Sequence, residues 1–258
     1  MTFDAALDRR LADVPGFGRC QTCMYVDTGS PALCSRCASR TMEALPEPEQ
    51  RCPVCEHPFN EGEALCRNGP CNAGWREFDR NYAIAVRSGQ LDRVIKRYKY
   101  QGARGWGRIF ARILVGFLDA NTEQFAPYDL ITSSPTYVGP NGRDFDHTGE
   151  VLVYANDDAA GRWPFDLGDP PVIVKTAATQ RLVEAGGYQD RKAVAQGELR
   201  AALSVPDRAA TAGKGILIYD DVFTDGLSLN EAARALRRQG GARRVSGITL
   251  ARSIYGRR

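Results

Sequence analysis

Two neighbouring carboxylates, Asp220 and Asp221, follow a short apolar run from Ile216 to Tyr219, and a compact polar loop around Gly226 comes next. Carboxylates in such a place can accept hydrogen bonds from a sugar diol or face a Mg²⁺ ion. Thr224, Asp225, Gly226, Leu227 and Ser228 then lead into a helix-like segment from Leu229 to Arg238. Backbone N–H groups at a helix start form an anion cradle, and Gly226, with no Cβ, allows close approach of the backbone. Phosphate at one end and hydroxyls at the other describe a ribose 5-phosphate. The apolar run reads as a buried parallel strand that carries its C-terminal end to a ligand crevice. A plain strand–turn–helix with two solvated aspartates has the same spacing.

A second constellation lies upstream. All eight cysteines fall between Cys20 and Cys71. Their order is Cys20-X2-Cys23-X10-Cys34-X2-Cys37, then Cys52-X2-Cys55-X10-Cys66-X4-Cys71. A C-X2-C pair offers two thiolates to one tetrahedral ion, and a second pair about ten residues on completes the shell. The near-repeat predicts two similar structural zinc units. Structural disulfides would need an oxidising compartment, and nothing in the sequence points to export. Sequential pairing puts Cys20, Cys23, Cys34 and Cys37 on one ion and Cys52, Cys55, Cys66 and Cys71 on another; an interleaved cross-brace is the alternative. His57 is expected to cap a knuckle turn rather than to bind metal. Without metal, residues 16–75 hold too few large apolar side chains to fold.

These groups need a scaffold, and the pattern after the cysteines supplies one. From Tyr82 onward, strand and helix signals alternate, the mark of an α/β domain. Strands are expected at Tyr82–Val86, Tyr128–Ser133, Val172–Lys175, Ile216–Asp220 and Val245–Leu250. Helices are expected at Gln90–Tyr100, Arg108–Ala120 and residues 147–158, with a short amphipathic helix over residues 1–15. The polar stretch Thr176–Glu198 is too long for an idle turn and is expected to be a lid. The division is a Cys-rich zinc module over residues 1–79 and an α/β domain over residues 80–258. The 258-residue chain carries a net charge of +3, which names no polyanionic partner. Residues 1–10 hold acids and no apolar run, and Ile109–Leu118 is too short and is broken by Arg112. No signal peptide or membrane span is expected, and the protein should be cytoplasmic.

Segment 216–228 resembles the phosphoribosyl pyrophosphate (PRPP) signature of type I phosphoribosyltransferases: hydrophobic strand, acidic pair, Val, X, Thr-Thr-Gly-X-Thr/Ser. Asp225 stands where that signature has a small hydroxyl residue, and a carboxylate there repels phosphate unless it points out of the cradle. With the Cys-rich N-terminus, the whole chain resembles the competence protein F (ComF/GntX-like) family, which joins a zinc-finger module to such a domain. Ile95–Gly102, Ile131–Tyr137, Arg143–Asp146, Thr179–Leu182 and Leu250–Arg252 resemble further family segments in the same order. Ser133 and Ser134 replace an apolar-small pair, and Asp144 and Asp146 replace Gly and Asn. The resemblance implies a type I phosphoribosyltransferase-like, mostly parallel sheet flanked by helices, and Mg²⁺-dependent transfer of 5-phosphoribosyl to an acceptor. It places Asp220 and Asp221 on the ribose hydroxyls or the metal, and Thr224–Ser228 on the 5-phosphate. It places the backbone of Thr132, Ser133 and Ser134 on pyrophosphate, with Lys175, Arg181 or Arg191 closing over it.

A different partner class is also legible. Between Arg87 and Arg112 stand eight Lys/Arg residues and one acid, Asp92, with Tyr98, Tyr100 and Trp106 interleaved. Basic groups among aromatic platforms suit single-stranded DNA, and the family's link to DNA uptake implies the same partner. An amphipathic helix with core aromatics and a solvated basic face is the simpler explanation. Three readings stand: a PRPP-dependent transferase of open acceptor, a weakly catalytic PRPP-binding protein that works with DNA, and a zinc-dependent interaction module on a dead fold.

Overall fold

The computed structural model describes residues 43, 45–59 and 65–254. The first cysteine quartet (Cys20, Cys23, Cys34, Cys37) and the helix expected over residues 1–15 lie outside the described residues. Six strands are present among the described residues: β1 (Asn81–Val86), β2 (Leu130–Ser133), β3 (Val174–Lys175), β4 (Leu203–Ser204), β5 (Gly215–Phe223) and β6 (Arg244–Arg252). The main helices are α1 (Gly89–Tyr100), α2 (Trp106–Ala120), α3 (His147–Ala159), α4 (Tyr188–Val194) and α5 (Leu227–Arg238).

Four strands pair in parallel in the order β1-β6-β5-β2. Both faces of the sheet are covered, so β1 and β6 are buried almost throughout and β5 opens on an unbroken apolar run. Alternate residues go to opposite sides. Leu217, Tyr219, Ile248 and Leu250 pack with α1, α2 and α3 in one core. Ile216, Ile218 and Val245 pack with α5 and the cysteine segment in another. In α5, Leu229, Ala232, Ala233 and Leu236 recur at three- to four-residue spacing and are buried, which is the stripe such a surface helix needs. Among the described residues, no helix is long and apolar enough to cross a membrane.

The outer edge of β1 would be an open template for another strand. The cysteine segment closes it. Asn81 N donates to Val54 O at 2.7 Å, and Ala83 N donates to the buried Glu56 carboxylate at 2.5 Å. The described cysteine segment therefore shares a core with the sheet.

Three elements differ from expectation. Val174–Lys175 does not join the sheet; it pairs antiparallel with Leu203–Ser204 in a separate ribbon. The polar stretch after Thr176 becomes helical at Tyr188, where Gly187 N donates to Asp190 Oδ2 at 2.9 Å. A helical path then continues through a π turn at Ala195–Leu199 to Arg200–Ala202. Finally, β5 does not stop at the acidic pair but runs on to Phe223, with Asp220 registered against Thr249. Both carboxylates are thus on a hydrogen-bonded strand, which extends three residues beyond the end expected at Asp220.

Candidate functional site

Consecutive residues of a strand face opposite ways, and the acidic pair follows that rule. Asp221 turns toward α1 and α3. Its Oδ2 lies 2.6 Å from Lys99 Nζ and 3.8 Å from His147 Nε2, and all three side chains are largely buried. Asp220 is half-buried, and its Oδ1 accepts the backbone N–H of Asp221 at 2.8 Å. Burial pushes the Asp220 carboxyl up, and the Asp221 charge beside it adds to this, to about 7. Burial acts the same way on Asp221, but the Lys99 ammonium outweighs it and holds that carboxyl below the usual range. The pair therefore divides into one fixed anion and one group that titrates near neutrality. Burial drives His147 down to about 3, so its imidazole is neutral at physiological pH.

A cleft opens over the C-terminal ends of β2 and β5 in two lobes that share Ser134, Leu182, Val183, Asp220, Thr224 and Ser228. The larger is about 480 Å³, within the range of small-molecule sites; Arg87, Lys96, Lys99, Arg143, Lys175 and Arg181 line it against Asp220 and Asp221. Burial, reinforced by Arg143, pushes the Lys175 ammonium down. Tyr100 projects there with the Lys99, Arg143 and Arg181 cations 5.1–6.0 Å from its ring centre. The smaller lobe, about 260 Å³, is bounded by Thr224, Asp225, Gly226, Ser228 and Arg191.

The cradle in the smaller lobe has the expected backbone. Gly226 has φ 81°, and a Cβ there would run into the Phe223 ring, so glycine is required on both counts. The first-turn amides of α5 have no partner within the helix. Asp225 is where the sequence made it awkward: its Oδ1 accepts Leu227 N at 3.1 Å, and its Oδ2 accepts Arg191 Nε at 2.9 Å. The carboxylate occupies one amide of the cradle and is neutralised by an arginine from α4.

The remaining site residues divide. Thr224 and Ser228 line both lobes, as do Ser134 and Asp220. Lys175 and Arg181 line the larger lobe, and Arg191 the smaller. Leu227 is fully buried and contributes its amide. Thr132 and Ser133 lie in the sheet beneath the cleft; the Thr132 hydroxyl donates to Asp166 Oδ2 at 2.7 Å. Only Ser134 of that trio reaches the cleft, followed by Pro135 and Thr136. Lys99 and His147 contact Asp221; His147 carries no local signal that marks it, and Lys99 stood in the basic stretch and in the family-like segment Ile95–Gly102 without a role assigned to it. In that stretch Tyr98 and Trp106 are core residues, and Arg87, Lys96, Arg104 and Arg112 pair with acids. Tyr100 alone of the three aromatics is exposed.

The second cysteine quartet is gathered and buried. The sulfurs of Cys52, Cys55, Cys66 and Cys71 all lie within 4.8 Å of one another, with Cys55 and Cys66 at 3.6 Å, and none is in a disulfide. Val54 N donates to Cys52 Sγ, Asn68 N to Cys66 Sγ and Asn68 Nδ2 to Cys71 Sγ at 3.3–3.4 Å. Such N–H···S bonds are the outer shell that orients thiolate ligands. Four soft donors with this shell fit a tetrahedral zinc ion. The quartet is the sequential pairing. His57 closes the knuckle through its backbone, where its carbonyl accepts Cys52 N at 2.8 Å. Metal analysis of the protein as purified is expected to return zinc, and Cys55→Ser to return one ion fewer; protein purified without a chelator that holds no metal would contradict the assignment.

No family model matches the chain, and no curated protein matches it.

Proposed function

We propose that the chain is a phosphoribosyltransferase-type protein, similar to the ComF/GntX-like family, that binds PRPP in the two-lobed cleft and transfers its 5-phosphoribosyl group to an acceptor. The observation that carries this reading is the arrangement of charge along the cleft: six cations around one lobe with Asp221, the start of α5 in the other, and Asp220 at the junction. A ligand anionic at both ends with hydroxyls in the middle matches that order. The larger lobe takes the pyrophosphate, Asp220 accepts from the ribose hydroxyls, and Gly226, Leu227 and Ser228 hold the 5-phosphate. Lys99 fixes the neighbouring Asp221.

In this reaction the bond from C1 to pyrophosphate loosens and positive charge spreads over the ribose ring. Positioning and fixed electrostatics carry such chemistry. Lys96, Lys99, Arg143, Lys175 and Arg181 stabilise the departing anion, Asp220 faces the developing cation, and Asp221 adds its fixed charge from the larger lobe. Asp220 and Asp221, whose carboxylate oxygens lie within 4.8 Å of each other, would supply oxygen ligands for Mg²⁺, which when bound would neutralise pyrophosphate oxygens. Asp225 limits access to the cradle, since the incoming phosphate must share or displace it; opening of α4 with Arg191 provides the route.

Calorimetry with PRPP and Mg²⁺, with ribose 5-phosphate and pyrophosphate as separate arms, tests binding, and pyrophosphate release against a panel of amine and base acceptors tests turnover. Saturable binding of PRPP, tighter than either fragment, is expected. No binding of any arm would overturn the reading. The same site predicts a titration. In the ligand-free protein the Asp220 carboxyl, followed by carbon-13 NMR, should titrate near the raised value of about 7. Its folded value lies above the unfolded one, so the folded state holds the extra proton in between. The contribution of this group to stability is therefore lost as pH rises from about 4 toward 7. PRPP and Mg²⁺ should lower the midpoint and release a proton. A midpoint near that of a solvated aspartate in the free protein would contradict the geometry.

A further inference from the structure

Arg252, the last residue of β6, is completely buried. A guanidinium offers five N–H donors in a fixed plane, and here they reach two separate parts of the molecule. Nε donates to Cys55 O at 2.7 Å and Nη2 to Cys55 Sγ at 3.4 Å. Nη1 donates to Phe223 O at 3.1 Å, Thr224 O at 2.7 Å and Ser253 O at 2.5 Å. The guanidinium also lies 4.7 Å over the Phe223 ring. Among the described residues its hydrogen-bond partners are carbonyls and one sulfur, with no carboxylate.

A buried cation without a counter-charge is costly. Four thiolates around Zn²⁺ carry a net charge of minus two, and Cys55 is the member that Arg252 touches. The metal centre therefore supplies the negative charge that lets the guanidinium stay in place. On its other side the guanidinium fixes the carbonyls of Phe223 and Thr224, where β5 turns into the cradle. Phe223 packs so closely under Gly226 that no Cβ fits between them, so the position of Phe223 sets that of Gly226.

We propose that Arg252 is a positioning residue that couples the cysteine metal centre to the phosphate cradle, so that metal loss loosens residues 223–228 and weakens sugar-phosphate binding. The binding half of this proposal rests on the reading of the cradle as the 5-phosphate site; the loosening half does not.

The test compares zinc-loaded protein, chelator-treated protein and zinc-loaded Arg252→Lys, which keeps the charge but not the fork. Zinc content, amide hydrogen exchange and PRPP·Mg²⁺ affinity are measured on each full-length sample. Arg252→Lys with its zinc retained should bind PRPP about fivefold to a hundredfold more weakly, the range for coupling between two sites. Amides of residues 223–228 should exchange faster in that variant and after chelation, while those of α2 keep their protection. A loss confined to structure alone would instead raise exchange throughout. If Arg252→Lys does not fold, chelation of the unmodified protein decides by the same local exchange. Unchanged protection at 223–228 after zinc removal would overturn the coupling. Equal PRPP affinity in the zinc-loaded variant would overturn it too. Faster local exchange in a protein that never binds PRPP would uphold the coupling and sink the cradle assignment instead.

Discussion

The Asp220→Asn, Asp221→Asn double variant should lose PRPP·Mg²⁺ binding by at least about a hundredfold while it stays folded. Hydrogen bonds to a charged group contribute about 1.5–3 kcal/mol each, and the variant removes the Asp220 carboxylate that accepts from the ribose hydroxyls together with the fixed charge of Asp221 beside it. Folding should persist because the amide replacements keep the shape of the side chains and the backbone pairing of β5 with β6 does not depend on the carboxylates, although Lys99 loses its partner and stability should fall by about 3 kcal/mol. Isothermal calorimetry, with circular dichroism as the control for fold, measures both halves. Unchanged affinity would remove the acidic pair from the ligand site, whatever the cleft binds.

A second large effect should follow from Lys99→Met. The ion pair between Lys99 and Asp221 is 2.6 Å long, with 14% and 5% of the two side chains exposed. Removal of one partner of a buried pair leaves the other charge uncompensated, at a cost of about 3–5 kcal/mol. Burial of Asp221 already works against its charge, and Lys99 is the main opposing influence. In Lys99→Met the Asp221 carboxyl should therefore rise, and urea unfolding at neutral pH should show the protein destabilised by about 3 kcal/mol. The double variant Lys99→Met, Asp221→Asn should recover much of that loss, because no buried anion remains. A change below about 1 kcal/mol, the worth of an exposed pair, would mean that the contact is open to solvent.

The parts of the molecule that repeat a local rule were legible in the sequence. The run Ile216–Tyr219 is apolar and buried throughout, and Val245, Ile248 and Leu250 supply large apolar side chains to β6, so their strands could be read directly, and the fixed spacing of Cys52, Cys55, Cys66 and Cys71 led to one buried cluster. Gly226 marked the helix start because only one residue type suits its backbone. Illegible parts depend on contacts between distant segments. Lys99 looks like its basic neighbours until α1 is seen to end above Asp221. His147 has no partner motif. Tyr98 and Trp106 have the composition of a stacking surface but are core residues, because the helices that carry them face the sheet. Asp225 looked like a flaw in an anion site; its resolution needed Arg191 on a helix that the polar sequence around it did not announce. Thr132 offered a hydroxyl near the expected pyrophosphate loop, yet it is spent on Asp166 inside the fold.

The central claim is that one end of the parallel sheet holds an activated sugar between cations and a helix start. A structure of the protein with PRPP and Mg²⁺ tests it most directly. The expected density puts the 5-phosphate on the amides of Gly226–Ser228, the ribose hydroxyls at Asp220 and the pyrophosphate among Lys99, Arg143 and Lys175. PRPP bound elsewhere, or a cleft that stays empty at saturating ligand, would contradict it.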